Sequence, residues 1–249
     1  MPNLRKLFVP DPHQTLLDID LKGADARVVA WEADDNDLKG AFNAGLDIHR
    51  LNAATIWPQA PASAMEGPKG LRQRAKTAVH AVNYGCKPRT LMDHISCSLH
   101  EAEAFTRRWF LLHPNIAEWH RRVEHQVRAR GSVTNRWGYT MRYFDRPDNL
   151  LPKALAWIGQ STTAIACNKM LVAIARELPL VEILLQTHDS VTIQVPTACV
   201  PDMVPRLQEL CTVQVPYSDP LLMPCEIKLS TDSWGEMHSS NAPELQRLD

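Results

Sequence analysis

Two aspartates and one helical stripe hold the side chains in this sequence best suited to chemistry. Asp20 closes the alternating run TLLDID, and Asp189 lies in the Thr187-His188-Asp189 connection between the apolar runs VEILLQ and SVTIQV. Carboxylates at two strand ends are the oxygen donors that hard divalent cations such as Mg2+ take, with water filling the other positions. A lone aspartate after a strand is more often a turn former or a helix cap, so only the pair has weight. Arg72, Lys76, His80 and Tyr84 recur every fourth residue. At about 100° per residue such positions drift only ~40° per step, which keeps them on one helix face. That face is cationic first and aromatic afterwards, which suits a ligand with phosphates at one end and a base at the other. Its bland counterpart is a surface Arg-Lys pair with His and Tyr packed on a core.

The elements that must position these residues can be read from local signals. TLLDID, residues 15–20, follows the breaker pair Asp11-Pro12 and reads as a strand ending in acids. Residues 22–57 read as helical segments, with Asp35, Asn36 and Asp37 as caps. Residues 58–70, rich in Pro and Gly, form a loop. Helices are predicted over 71–82, 88–96, 101–111 and 114–130, and a hairpin or irregular turn over 131–143. Pro152 suits the first turn of a helix reaching Leu178. The runs at 181–186 and 190–195 make a tight hairpin with a carboxylate at its tip. A short helix at 201–212, a last strand CEIKLS at 225–230 and a frayed polar tail from Ser239 complete the chain. Few strands and many helices predict an α+β architecture, a small antiparallel sheet backed by helices.

Composition bounds the function. With 249 residues, 45% of them hydrophobic and 22% charged, the chain can build a core, and disordered, collagen-like and coiled-coil classes fall away. The net charge of −1 is an average over unequal parts. Residues 1–68 carry 6 basic and 10 acidic side chains, residues 69–146 carry 15 and 6, and residues 147–249 carry 6 and 12. A basic middle between acidic ends fits one region facing polyanions and two able to hold cations, although charge runs are often only solvated helix faces. The six cysteines form no CxxC pair, and neither a signal peptide nor an uninterrupted membrane span is present. The expected compartment is reducing and intracellular, with no membrane attachment.

The residues also carry a resemblance. DIDLKGADARVVAWEADDNDLKGAFNAGLDIHRLNA resembles motif A and its following helices in family A DNA polymerases, of the DNA polymerase I-like, phage type. RQRAKTAVHAVNYG resembles motif B and LLQTHDSVTIQV resembles motif C. The likeness continues through HPNIAEWHRRVEHQVRARGSVTNRWGYTMRY and the helix containing Gln160 into EIKLSTDSWGEMH, so it covers nearly the whole chain.

This resemblance implies a polymerase palm with an inserted helical fingers subdomain. Residues 1–57 would be the first part of the palm with motif A and the first fingers helices, 58–146 the fingers with motif B, 147–238 the second part of the palm with motif C, and 239–249 the polar tail. It implies a DNA polymerase module that extends a primer-template DNA from dNTPs with two Mg2+ ions, or Mn2+ in their place. Asp20 and Asp189 match the metal-holding aspartates, with the Leu21 carbonyl as a further ligand, and Lys76 is catalytic. Arg72, Lys76 and His49 match positions that grip the triphosphate, and Tyr84 and His80 lie where the fingers helix meets the nucleotide. His188 and Gln160 match positions at the primer terminus and the minor groove, and Arg27 matches a structural arginine. A bacterial cytoplasm would be its setting if a phage encodes it.

Departures from the family pattern sharpen the expectations. Asp25 stands where a glutamate usually blocks a ribose 2′-hydroxyl, so the gate is one methylene shorter. His80 replaces a usual Phe or Tyr, and Ser190 a common glutamate. His-Asp-Ser also resembles motif C of single-subunit RNA polymerases, which keeps an RNA polymerase module as an alternative. The others are a non-catalytic nucleic-acid-binding subunit and a nuclease using Asp18, Asp20, Asp25 and Asp189. Met1 falls at the family's Pro-Asn-Leu segment, so the thumb and any exonuclease domain are expected on a second, upstream polypeptide or on the rest of a longer chain.

Overall fold

A computed structural model describes residues 3–67, 70–144 and 150–240. The chain divides into two compact units, one of Met1–Ala24 with Thr163–Asp249, the other of Asp25–Thr162.

The first unit is built on a strand that the sequence pattern marks clearly. In β1 (Gln14–Leu21), Leu17, Ile19 and Leu21 alternate with Asp18 and Asp20, and all three apolar side chains are fully buried. The second unit follows directly with α1 (Ala24–Ala33), α2 (Asn36–Asn43), α3 (Ile48–Ile56), α4 (Leu71–Asn83), α5 (Pro88–Ile95), α6 (Leu99–Leu112) and α7 (Pro114–Arg130). It then forms the short hairpin β2 (Ser132–Thr134) and β3 (Thr140–Arg142). The helix α8 (Leu151–Glu177) contributes its beginning to the second unit and its remainder to the first. The chain ends with β4 (Glu182–Thr187), β5 (Ser190–Pro196), α9 (Val200–Leu210), β6 (Val213–Val215), β7 (Leu221–Met223), β8 (Cys225–Ser230) and β9 (His238–Ser239).

The main sheet has the order β4-β5-β1-β8-β9 and is antiparallel throughout. Its central strand β1 faces β5 with Asp20 opposite Ser190 and β8 with Asp20 opposite Glu226. A two-residue turn joins β4 to β5, and its first residue, His188, has φ 52°. Positive φ at the first turn residue suits a hairpin whose twist must match its strands, and His tolerates it better than most side chains. In the part of α8 that belongs to this unit, the Cys167 thiol reaches the Ser190 carbonyl at 3.7 Å, which seats the helix on the sheet.

Helix boundaries in the second unit follow their caps. Asp35 caps α2 by accepting from the Leu38 amide, and Asp47 caps α3 by accepting from His49 and Arg50. Ser98 and Glu101 form a reciprocal capping box at α6. Pro114 opens α7, and Gly131 closes it in the left-handed conformation. Two buried polar links tie the helices together. The Trp109 indole donates to the Asn83 side chain at 2.9 Å while the His120 ring meets the Asn83 carbonyl at 2.8 Å, so the end of α4 is fixed by α6 and α7. His113 Nδ1 lies 2.9 Å from Asp35 Oδ2, both side chains nearly fully buried.

The expected α+β class is the observed one, and the helices and strands expected around the motifs are present within a few residues. Some details differ. The β6–β7 hairpin escaped prediction, because three-residue strands among prolines are too short to show a period. Ser239, expected to begin a frayed tail, still pairs with Lys228 in the sheet. The rest of the expected tail, 241–249, lies outside the described residues. The divisions of the structure at 24/25 and 162/163 differ from the motif-based ones at 57/58 and 146/147, because compactness and motif order group the chain by different criteria.

Asp35 is the most exacting polar position of the second unit. Burial pushes its carboxyl up, but the His113 hydrogen bond and the Leu38 amide outweigh that and hold it below the ordinary 3.8. A carboxylate depressed by folding contributes stability that is full above its unfolded value and fades as the pH falls through the folded one. Asp35→Asn is therefore expected to lower the unfolding free energy at pH 7 by about 2–4 kcal/mol. In urea titrations across pH, the gap between parent and variant should shrink below pH 3.8. A gap that stays constant down to acid pH would show that the charge is not what matters.

Candidate functional site

In the first unit the acids of β1 meet those of its neighbours. Asp20 lies on the face of β1 opposite the buried Leu17, Ile19 and Leu21, directly across from Glu226 on β8. Asp189 follows His188 in the β4–β5 turn, and its carbonyl accepts the Leu21 amide at 3.0 Å, which pins the turn to the end of β1. Asp18, two residues back on the same face, accepts from the Thr192 hydroxyl at 2.8 Å. Burial first, then Asp189 and Asp18, push the Asp20 carboxyl up to about 6, with Lys228 only partly offsetting them. A carboxylate crowded by like charge is poised for a cation, since a positive ion relieves both the burial and the repulsion.

The donor set fits a hard divalent ion. Among the described residues no three His, Cys, Asp or Glu side chains converge into a cage. Two carboxylates would leave most coordination positions to water and ligand oxygens, which is how Mg2+ is commonly held. His188, exposed at the turn beside Asp189, and the buried Ser190 complete this edge, the Ser190 hydroxyl donating to the Thr187 carbonyl.

In the second unit the predicted stripe is real but its members differ. Arg72 Nε is held by Asp47 Oδ2 at 2.7 Å, Lys76 and His80 are exposed, and Tyr84 caps the C-terminus of α4. His49, the second residue of α3, joins the cationic end of the stripe. Desolvation, then Lys76 and Arg72, hold its imidazole down at about 4, so it is neutral at pH 7, and its buried Nδ1 has no hydrogen-bond partner among the described residues. Any grip by His49 on an anion therefore starts from a neutral ring whose charge the anion itself would induce.

The aromatic end of the stripe is closely built. The His80 and Tyr84 rings meet edge to face at 4.9 Å, and His80 Nδ1 is 3.7 Å from Asp25 Oδ2. Burial and then the neighbouring Asp25 carboxylate hold the Tyr84 phenol well above its usual range, so it stays protonated. Its ring lies against Gly159 of α8, where an added Cβ would overlap the hydroxyl and come within 3.0 Å of a ring carbon. Gln160, the next residue, is exposed. Arg27 is buried with its guanidinium 4.6 Å above the Phe42 ring.

The structure thus groups Asp20, Leu21, His188 and Asp189 in one unit and Asp25, Arg27, His49, Arg72, Lys76, His80, Tyr84 and Gln160 in the other. Asp47, Gly159 and Glu226 were missed by the sequence reading. Asp47 had the signal of a cap before a helix, and Gly159 that of a glycine inside an apolar helix, which marks a close approach. Glu226 had only its alternation within CEIKLS.

Gly159→Ala opposes two effects of known size. Alanine favours the helix by up to ~1 kcal/mol, whereas overpacking costs about 1–3 kcal/mol, so net destabilisation is expected. Because the clash is with the phenol, combining it with Tyr84→Phe should recover part of the loss. Thermal unfolding of the four cycle members would reveal the coupling, and additivity within ~0.5 kcal/mol would refute the contact.

Comparisons with known proteins give the family of the chain. The family model described as DNA polymerase family A matches residues 1–236. The thermostable DNA polymerase I of Thermus filiformis is 29% identical over 91% of this chain, and DNA polymerase I of Treponema pallidum is 29% identical over 94%. The chain spans about a quarter of the length of these relatives, 27% and 24%. Among solved structures, the polymerase domain of Pol1 from M. smegmatis, in complex with DNA primer-template and dNTP, superposes with a TM-score of 0.76 at 24% identity. That match covers 93% of this chain and 42% of the other. With its motifs in order, its palm-like sheet and a family match over nearly all of its length, the chain belongs to DNA polymerase family A.

Proposed function

We propose that this chain is the nucleotidyl-transfer module of a DNA polymerase, adding deoxynucleotides to a primer 3′-end on a DNA template. The observation that carries this reading is the crowding of Asp20 with Asp189, Asp18 and Glu226 at one edge of the sheet. Folding would not favour such crowding unless a cation were to share it. Asp20, Asp189 and the Leu21 carbonyl would hold the divalent ions, Mg2+ or Mn2+. When bound, these ions supply activation of the primer hydroxyl and stabilisation of the leaving pyrophosphate.

The chain's own residues do the positioning, from which phosphoryl transfer draws most of its acceleration. In the partition we adopt, residues 1–57 and 147–238 form the palm and 58–146 the fingers. Lys76 and Arg72 attract the triphosphate, and Lys76 is the better placed because Arg72 must share itself with Asp47. His49 then takes up a proton, since phosphate charge offsets the burial and the repulsion from Lys76 and Arg72 that together keep it neutral. Tyr84 and His80 offer a ring wall for sugar and base, and Gln160 and His188 contact the minor groove and primer terminus, where acceptors are common to all base pairs. Arg27 braces the fold. Net charge near zero is small for a chain that must grip a duplex by itself, and it supports a second polypeptide that completes the grip.

Primer extension with Mg2+ tests the core of this reading, on the chain alone and with an added thumb-bearing polypeptide. Asp189→Asn should lower extension at least ~1000-fold while leaving fold and DNA binding intact, because charge at the ions is lost without a change of shape. Parent-rate extension by that variant would end the assignment.

Sugar choice follows from Asp25, which His80 approaches and Tyr84 faces. A gate excludes a hydroxyl only when the fit is close. The kcat/KM ratio for matched dNTP over rNTP is expected to rise by about tenfold in Asp25→Glu, equivalent to ~1.4 kcal/mol. An unchanged ratio, or a parent that prefers ribonucleotides, would favour the RNA polymerase alternative.

A further inference from the structure

Two thiols flank the mouth of the β6–β7 hairpin in the sheet unit. The hairpin pairs Val213 with Met223, Gln214 with Leu222 and Val215 with Leu221. Carried two residues beyond the last pair, the same register sets Cys211 opposite Cys225. Opposed residues of an antiparallel pair have Cα atoms about 4.5 or 5.5 Å apart, and both values lie within the roughly 4.4–6.8 Å that a disulfide spans. The ladder itself stops at Val213 and Met223, because Cys211 caps the C-terminus of α9. The Cys225 thiol nevertheless turns back to the last turn of α9, which Cys211 caps, and the two thiols perturb one another's ionisation.

The surroundings give the two thiols unequal roles. Cys211 is fully buried, whereas Cys225 is half-buried at the start of β8, its thiol 3.9 Å from the Gln208 carbonyl. The backbone around them is held on both sides: the Cys211 amide donates to the Leu207 carbonyl, and the Pro224 carbonyl accepts from the Lys22 amide. An accessible thiol beside a buried partner is the arrangement in which oxidation of the first is resolved by the second. The remaining cysteines, Cys86, Cys97, Cys167 and Cys199, are also free thiols, and no hairpin register among the described residues sets any of them opposite another.

We infer that Cys211 and Cys225 form an oxidisable dithiol, converted by hydroperoxides into an intrachain disulfide that closes the base of the β6–β7 hairpin. Hydrogen peroxide is attacked by the Cys225 sulfur. The S–O bond forms, the O–O bond breaks, and the departing hydroxide leaves as water with the thiol proton, giving a sulfenic acid. The Cys211 sulfur then attacks the sulfenic sulfur. The S–S bond forms, the S–O bond breaks, and a second water leaves with the Cys211 proton. Two electrons pass from the sulfurs to the peroxide. The closed loop of 15 residues restricts the unfolded chain and so favours the folded sheet unit.

Trypsin provides a direct test, because no Lys or Arg lies between Leu207 and Lys228 and one peptide therefore carries both cysteines. The full chain is treated with hydrogen peroxide, denatured, alkylated with iodoacetamide and mapped. The peptide is expected to be unalkylated and two hydrogens lighter, to become doubly alkylated after dithiothreitol, and to accompany a raised unfolding midpoint. Double alkylation without reductant, a sulfinic or sulfonic acid at Cys225, or a bridge from Cys211 to Cys167 would overturn the inference. In Cys211→Ser the sulfenic acid has no resolving thiol, so dimedone should label Cys225 there and leave the parent unlabelled. Equal labelling of both proteins would overturn it as well, and the parent peptide map stands whether or not that variant folds.

Discussion

The pairing of β1 between β5 and β8 is the constraint on which the carboxylate edge depends. Three antiparallel strands bury Leu17, Ile19 and Leu21 on one face, and the period of two then leaves Asp18 and Asp20 no choice but the other. A slip of one residue would bury the acids and expose the apolar row. The hydrophobic effect thus fixes the register, and the register sets Asp20 against Glu226 and beside the turn that carries Asp189. Stability of the sheet and repulsion at its edge come from the same alignment.

Repulsion of this kind would be a defect in a protein without a cation to receive. The partial offset from Lys228 is too weak to restore an ordinary carboxyl at Asp20. The neutral His49 makes the mirror image in the helical unit, where burial, then Lys76 and Arg72, suppress a positive charge as burial and the acids suppress a negative one at Asp20. Each unit therefore holds strain of one sign, and each strain is relieved by a ligand of the opposite sign.

Buried polar links fix the geometry of the helical unit alongside its apolar faces. Asn83 receives Trp109 and His120, and Asp35 receives His113, so the loops around α2, α4 and α7 are set by groups that cannot be left unpaired without a large cost. Those links hold the end of α4 where Tyr84 packs on Gly159. Tyr84 is accordingly held by packing, whereas Lys76 and His80 remain open to solvent.

The sequence by itself determined most of the elements and the local spacing of the candidate residues. The alternation in TLLDID, the two-residue turn at His188-Asp189 and the four-residue spacing from Arg72 to Tyr84 are local signals, set by backbone geometry within a few residues. Motif order added the family, since three ordered segments constrain one another where any one alone would not. Tertiary structure decided what happens between distant residues. It coupled Asp47 to Arg72, set Glu226 across from Asp20, turned Gly159 toward Tyr84 and brought Cys211 to Cys225. None of these has a local period, because each arises where separate elements are packed or paired, and the protonation of Asp20 and His49 follows from that packing through burial and neighbouring charge.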